Sequence, residues 1–402
     1  MASSDMTRWN VVMAAAAAAL MAMPGVAAAQ SKEPIKIGFS TEMSGAYSFF
    51  GNACANGVKL AEEEINAAGG AIGRPLQFIV VDNQTNPAQA AASARSLDVQ
   101  DHVLAISGPT SSDNALAIYG YAEQNKLPFV VPVAAFPQLT KPGTHYTFRV
   151  ESDAIGWGAA IAKFVAEKKP GAKIAIMLSD FAYTRALETG IKYQAPLSKL
   201  DVVGDVVFPQ GANDATVQVA QVVAAKPDYV IVMGVGAFEI TLTNQLIDLG
   251  IAPDQIIHNV GTSTTLLAFG KRSIGSYFGS FFDVNLDTIT PLGREFIKKF
   301  TERVGRVPSF IENFCYITPY IMKAAIDKAG SADREKFRDA MSALKMVGPT
   351  DGTPIEFDQN GARKEYVYYL QLTGVEEKSY TAKKVFYTEW QPDSLPVYEL
   401  MK

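Results

Sequence analysis

The loop Gly108-Pro109-Thr110-Ser111-Ser112 leaves a short apolar run and leads into a helical stretch from Asp113. The first N–H groups of a helix lack intrahelical partners and carry the positive end of its dipole, so with two serine hydroxyls they suit a carboxylate. Helix capping by a serine is the plainer role, and it is compatible with ligand contact. Aromatic residues crowd comparable loops: Tyr47, Phe49, Phe50, Phe136, Phe181 and Tyr183. Singly, each can pack within its own unit. Gathered at one end of two facing units, they would wall an apolar slot for a ring or a branched alkyl group.

Residues for catalysis or metal binding are sparse. His102, His145 and His258 are the only histidines, and none is spaced as a metal-ligand pair. No phosphate-binding lysine loop is present, and Gly234-Val235-Gly236 lacks the third glycine of a dinucleotide fingerprint. Asp180, Glu239 and Glu312 stand at expected helix starts, where carboxylates usually serve as caps or dipole partners. These features indicate a binding protein, not an enzyme, with no cofactor and no metal. The net charge is −5, and the basic residues are scattered, so nucleic acid is not an expected partner.

The elements that must position these loops read as one α/β series written twice. Short continuous apolar runs at Ile35 to Phe39, Phe78 to Val81, Val103 to Ser107 and Phe129 to Val133 alternate with helical stretches. A second series follows at Lys173 to Leu178, Val202 to Phe208, Tyr229 to Met233 and Ile256 to Asn259. Such runs suit parallel strands buried on both faces. The third and fourth strands of the copies match at one offset, Ile106 with Val232 and Val131 with Ile257, as a duplication predicts. Expected helices include Cys54 to Ala67, Asp113 to Gln124, Ile155 to Lys168, Pro291 to Val304 and Asn313 to Ala329. Gly352 to Phe357 reads as a short extended segment, and Tyr366 to Leu372 with Lys383 to Trp390 as a closing strand pair.

The expected fold class is therefore α/β, with two doubly wound parallel-sheet lobes. Residues 34–146 plus 281–352 form the first, and 150–278 plus 357–402 the second. Crossings near 147, 280 and 354 make a three-segment hinge. Ligands of open α/β sheets bind beyond the carboxyl ends of the strands, which places the site between the lobes.

Residues 1–29 have the pattern of an export leader: Arg8, an apolar stretch from Val11 to Met23, then Ala27-Ala28-Ala29 at a cleavage site. The expected location is the periplasm, as a monomer. Cys54 and Cys315 are the only cysteines. A bridge is open to them in an oxidising compartment, although two buried thiols acting as small hydrophobes is the preferred reading.

The chain resembles the periplasmic substrate-binding proteins of ABC importers, in the branched-chain amino-acid-binding group with the type I periplasmic-binding fold. The resemblance rests on Ile35-Lys36-Ile37-Gly38, Met43-Ser44-Gly45, Ala61 to Gly70, Asp82 to Ala88, Gly108 to Ser112, Pro132 to Thr140, Tyr316 to Gly330 and Gly348 to Gly361, in that order. It implies a receptor that closes on a small solute and presents it to a permease and its ATPase. It also implies contacts: Ser112, or Ser111 in a shifted register, for a ligand carboxylate; backbone groups of Val133, Ala134 and Ala135; and rings from Phe50 and Tyr183, to which the loop reading adds Phe49 and Phe136. Glu312 is expected near the cleft.

Departures from the family pattern bear on the ligand. Relatives that bind α-amino acids hold the ammonium with a threonine, an acid and a tyrosine. Ala135 stands at the threonine position and Val235 at the tyrosine position, and the segment Asn259 to Thr265, which carries the contacts Gly261 and Thr262, contains no acid. An unpaired buried ammonium costs several kcal/mol. The expected ligand is thus an aromatic or apolar carboxylate. A branched-chain amino acid or amide is the alternative, and a sensory role with a signalling partner is another.

Overall fold

A computed structural model describes residues 33–390 and 396–401. The leader lies outside the described residues. Among those described, no helix is long and apolar enough to cross a membrane.

The first sheet contains β1 (Ile35–Thr41), β2 (Leu76–Asp82), β3 (Ala105–Ser107), β4 (Phe129–Val131) and β5 (Thr147–Arg149), in the spatial order β2-β1-β3-β4-β5 with every pairing parallel. Three helices connect these strands: α1 (Ser48–Ala67), α2 (Pro87–Val99) and α3 (Ser112–Gln124). Pro87 takes the first turn of α2, and the Asn86 side chain accepts from the amides of Ala88 and Gln89.

The chain then passes through α4 (Ala154–Lys168), β6 (Lys173–Ser179), α5 (Ala182–Leu197), β7 (Asp201–Phe208), α6 (Thr216–Ala224), β8 (Tyr229–Met233), α7 (Ala237–Asp248), β9 (Ile256–His258), α8 (Ser263–Phe269) and β10 (Tyr277–Ser280). The last elements are α9 (Pro291–Val304), α10 (Phe310–Ala329), α11 (Arg334–Ser342), β11 (Lys345–Val347), β12 (Pro354–Glu356), β13 (Glu365–Val375), β14 (Tyr380–Trp390) and α12 (Val397–Leu400). The second sheet has the order β14-β13-β10-β9-β8-β6-β7. Its parallel part, β7-β6-β8-β9-β10, repeats the strand order of the first sheet, which is what a duplicated unit predicts. β13 and β14 extend it as an antiparallel pair, while β11 and β12 pair only with each other among the described residues.

Several elements differ from the sequence reading. α1 begins at Ser48, so Phe49 and Phe50 belong to its first turn and not to a free loop. β5, absent from the strands read in sequence, completes the first sheet, and three residues are too short to show a periodicity. α8 and β11 have no counterpart in that reading. Tyr398 of α12 donates to the carbonyl of Thr140, so the last helix touches the first-sheet side.

Cys54 and Cys315 form a disulfide, which corrects the preference for two free thiols. The bond ties α1 to α10, helices distant in sequence whose contact only the tertiary fold brings about. Gly57 lets them approach: a Cβ there would lie 2.4 Å from the carbonyl oxygen of Glu312.

Candidate ligand-binding cleft

The carboxyl ends of both sheets meet around one cavity of about 440 Å³, part of it open to solvent. From the first sheet come Tyr47, Phe50, Thr110, Val133 and Glu151; from the second come Tyr183, Gly234, Val235, Asn259 and Val260. Phe310 and Ile311, the first residues of α10, complete the wall. Every first-sheet lining residue follows the end of a strand, as expected for an open α/β sheet. Direct contacts join the two sides: the Ala182 amide donates to Asp113 Oδ2 at 3.3 Å, Tyr47 and Phe181 stack edge to face at 5.0 Å, and Arg306 donates to Ser263 Oγ at 2.7 Å.

The start of α3 differs most from expectation. Glu42, fully buried just after β1, faces the loop that leads into α3. Its Oε2 accepts from the Thr110 amide at 3.0 Å and the Thr110 hydroxyl at 2.7 Å. Its Oε1 accepts from the Ser111 amide at 3.3 Å, Asn114 Nδ2 at 2.9 Å and Asn83 Nδ2 at 3.4 Å. Gly108, at φ +83° with Ser40's carbonyl where a Cβ would stand, makes the turn that delivers these donors. The chain's own carboxylate thus takes the Thr110 amide ahead of α3 and the amide of its N-cap Ser111, and has no bond from the first helical amides of Ser112 and Asp113. Ser111 caps α3 through a 3.5 Å bond from the Asn114 amide, whereas Ser112 Oγ is buried without a hydrogen-bond partner among the described residues.

Glu151 is the second carboxyl that the sequence reading missed. It lines the cavity, is 2% exposed, and its Oε2 has no hydrogen-bond partner among the described residues. Burial pushes its pKa well above the ordinary carboxyl range, and the nearby Arg149 charge opposes that rise. Tyr47 OH and Asn259 Oδ1 are buried in the same unpartnered state. Burial raises Tyr47, and Asp113 and Glu42 add to the effect. Asn259 Nδ2 donates to Tyr183 OH at 2.8 Å, which leaves the tyrosine proton able to donate elsewhere. Among the described residues, no Lys, Arg or His lines the cavity. Aromatic and aliphatic surface thus surrounds a few polar atoms that lack partners within the described protein.

Of the residues singled out from sequence, Tyr47, Phe50, Thr110, Val133, Tyr183 and Val235 reach this wall. Phe49 lines an adjoining pocket with Phe181, Val235 and Phe238. Ala134 and Ala135 are buried, and Phe136 packs against the core. The Gly261 amide donates to the carbonyl of Gly279, and Thr262 caps α8 through Thr265. Glu312 is not delivered to the cavity: it accepts from the Ser309 amide at 2.9 Å, from the Ser309 hydroxyl, and from Arg306 at 2.5 Å. The capping box and Arg306 together satisfy both oxygens, so Glu312, expected near the cleft, is not a free acid there. His258 pairs with Glu239 at 3.1 Å and stacks on Phe269, both side chains being buried. Glu42 and Glu151 each stand at a strand's carboxyl end, the one signal that could have marked them.

Repeated sheets meeting strand end to strand end around a ring-lined cavity define a two-sided solute-binding receptor. The chain belongs to the Periplasmic binding protein family, whose model matches residues 34–376. It is similar to the Leu/Ile/Val-binding protein BraC3 of Rhizobium johnstonii, with 27% identity over 331 residues, 81% of this chain and 88% of the relative. Among solved structures it resembles the leucine binding protein LivK of Thermotoga maritima, with TM-score 0.78 and 23% identity, covering 90% of this chain and all of that one. It also resembles a solute binding protein of an ABC transporter from Rhodopseudomonas palustris in complex with 3,4-dihydroxy benzoic acid, with TM-score 0.79 and 21% identity over 89% and 97% of the two chains. The protein is a periplasmic binding protein with the type I periplasmic-binding fold.

Proposed function

We propose that the protein is an extracytoplasmic receptor that closes on one small aromatic or apolar solute and delivers it to the permease and ATPase of an ABC importer. The observation that best supports this reading is the cavity itself, in which Phe50, Tyr183, Val235 and Phe310 form an apolar wall with few polar atoms. Closure is assigned to the three crossings near 147, 280 and 354 between lobes 34–146 plus 281–352 and 150–278 plus 357–402. The contacts from Asp113 to Ala182 and from Tyr47 to Phe181 belong to the closed form.

The charge of the solute is read from its surroundings. Glu42 already holds the amides of Thr110 and Ser111, and among the described residues no basic side chain lines the wall. A solute carboxylate would therefore enter beside a buried carboxylate without a compensating cation, which is costly. A head group without negative charge fits better. The carboxylate remains a second reading because Ser112 Oγ and Tyr47 OH are buried donors without partners among the described residues, and the Rhodopseudomonas palustris protein of this fold holds an aromatic acid.

Thermal shift against benzyl alcohol, benzoate, 4-hydroxybenzoate, leucine and valine tests the reading. A ligand that binds only the folded state raises stability by RT ln(1 + [L]/Kd). Aromatic members are expected to stabilise the protein; stabilisation by leucine or valine with no response to any ring compound overturns the proposal.

A further inference from the structure

The geometry points to Glu151 as the residue that reads the head group of the solute, accepting a hydrogen bond from a hydroxyl or ammonium donor and disfavouring a carboxylate. The inference deepens the receptor reading above and rests on the same cavity. Glu151 lines that cavity, is almost wholly buried, and has an oxygen that no described protein group satisfies. A buried polar atom without a partner is costly, so a ligand that supplies one gains affinity and a ligand that cannot supply one gains none.

The groups around Glu151 do not complete it. Arg149 on β5 donates to the backbone carbonyl of Glu151 at 2.7 Å. Tyr183 on α5 feels the Glu151 charge, with Tyr47 before α1 and Tyr369 on β13 adding to its surroundings. Phe310 and Ile311 face the cavity from α10 and carry no titratable group. Within this set Glu151 is the acceptor that changes charge.

Proton linkage follows from the burial that raises this carboxyl. An ammonium ligand requires the ionised form, so its binding releases a proton and tightens as pH rises toward the raised pKa. A hydroxyl ligand is served by either form and shows little pH dependence. A carboxylate ligand requires the protonated form, so its affinity falls as pH rises.

Calorimetric titrations of the full mature protein and of Glu151→Gln, at about pH 6 and about pH 8, would use two bodies with three heads. The benzyl series is benzyl alcohol, benzylamine and benzoate; the isoamyl series is isoamyl alcohol, isoamylamine and isovalerate. The wild type is expected to prefer alcohol or amine over acid in at least one series. Glu151→Gln, which keeps the size and an acceptor oxygen but not the charge, is expected to weaken a preferred amine by about 10-fold or more, to change an alcohol far less and to spare the acid; Glu151→Leu, which has no acceptor, is expected to weaken a preferred alcohol by about 10-fold. A rise in amine affinity of up to ~10-fold per pH unit identifies the ammonium source, and a flat alcohol profile identifies the hydroxyl. If this pattern appears only in the isoamyl series, the ring reading fails while the assignment of Glu151 stands. Preference for acids, an equal effect of Glu151→Gln on all three heads, or no binding in either series overturns the assignment.

Discussion

Replacing Glu42 tests the claim that a buried carboxylate organises the loop before α3 and discourages an anionic solute beside it. Its carboxylate receives five bonds from four residues, all buried. In Glu42→Gln the amide oxygen is expected to keep the two short bonds from Thr110, which turns an NH₂ group toward Ser111, Asn114 and Asn83. Asn114 Nδ2 retains an acceptor in Asn83 Oδ1 at 2.8 Å and Asn83 Nδ2 one in Ser40 Oγ at 3.4 Å, so the loss centres on the Ser111 amide, with one N–H of each side-chain amide also left without its Glu42 partner. At about 1–3 kcal/mol for each buried donor left unpaired, and with some relaxation, the cost is about 3 kcal/mol. Glu42→Ala removes all five bonds and leaves a cavity, for about 4–5 kcal/mol. Urea denaturation followed by far-ultraviolet circular dichroism gives both values, provided the slope is unchanged. The glutamine variant also removes a buried negative charge beside the cavity, so benzoate is expected to bind it more tightly than the wild type. A Glu42→Gln protein within about 0.5 kcal/mol of wild type, with unchanged benzoate affinity, would refute both the sum over bonds and the electrostatic exclusion.

Reduction of the Cys54–Cys315 bond, or its replacement by serines, is expected to lower unfolding free energy, with about 5 kcal/mol as the chain-entropy upper figure for a 261-residue separation; a urea midpoint insensitive to reductant would contradict this. Ser112→Ala removes a hydroxyl with no partner among the described residues, so stability should change by less than about 1 kcal/mol, whereas solute affinity falls by about 1 kcal/mol for a neutral head and about 2 for a carboxylate. Unchanged affinity for every stabilising ligand would remove Ser112 from the site. Asp283 is buried and its pKa is raised chiefly by burial, against bonds from Tyr380 and Asn285. The folded state therefore holds its proton more strongly than the unfolded chain, so its stabilising contribution is complete below the ordinary aspartate value of 3.8 and is lost as pH rises through the raised value. Urea titrations from about pH 4 upward should show a smaller loss of stability in Asp283→Asn than in wild type, and parallel curves would count against the shift.

The strands were legible because each is a continuous apolar run, a signal that lies within a few residues. β1, β6, β7 and β8 were found nearly whole, and α9 at Pro291–Val304 matched at both ends because Pro starts it and Gly305 stops it. β5 and β11, three residues each, carried too little pattern. The aromatic loops were found as a group, yet only packing separated Tyr47, Phe50 and Tyr183 in the cavity from Phe49 and Phe181 beside it and Phe136 against the core.

By itself, the order of residues determined the repeated α/β plan and the membership of a binding-protein family, since both follow from local periodicity and from motifs in a fixed order. The polarity of the site was decided in three dimensions. Glu42 reaches Thr110 and Asn114 across separations of 68 and 72 residues, Glu151 becomes a cavity wall only when β5 joins β4 and the second sheet closes over it, and Glu312 is withdrawn by Ser309 and Arg306. A carboxyl in a sequence is merely an acid; whether it caps a helix, organises a loop or awaits a ligand depends on which donors the folded chain brings within hydrogen-bond distance, and no local pattern encodes that.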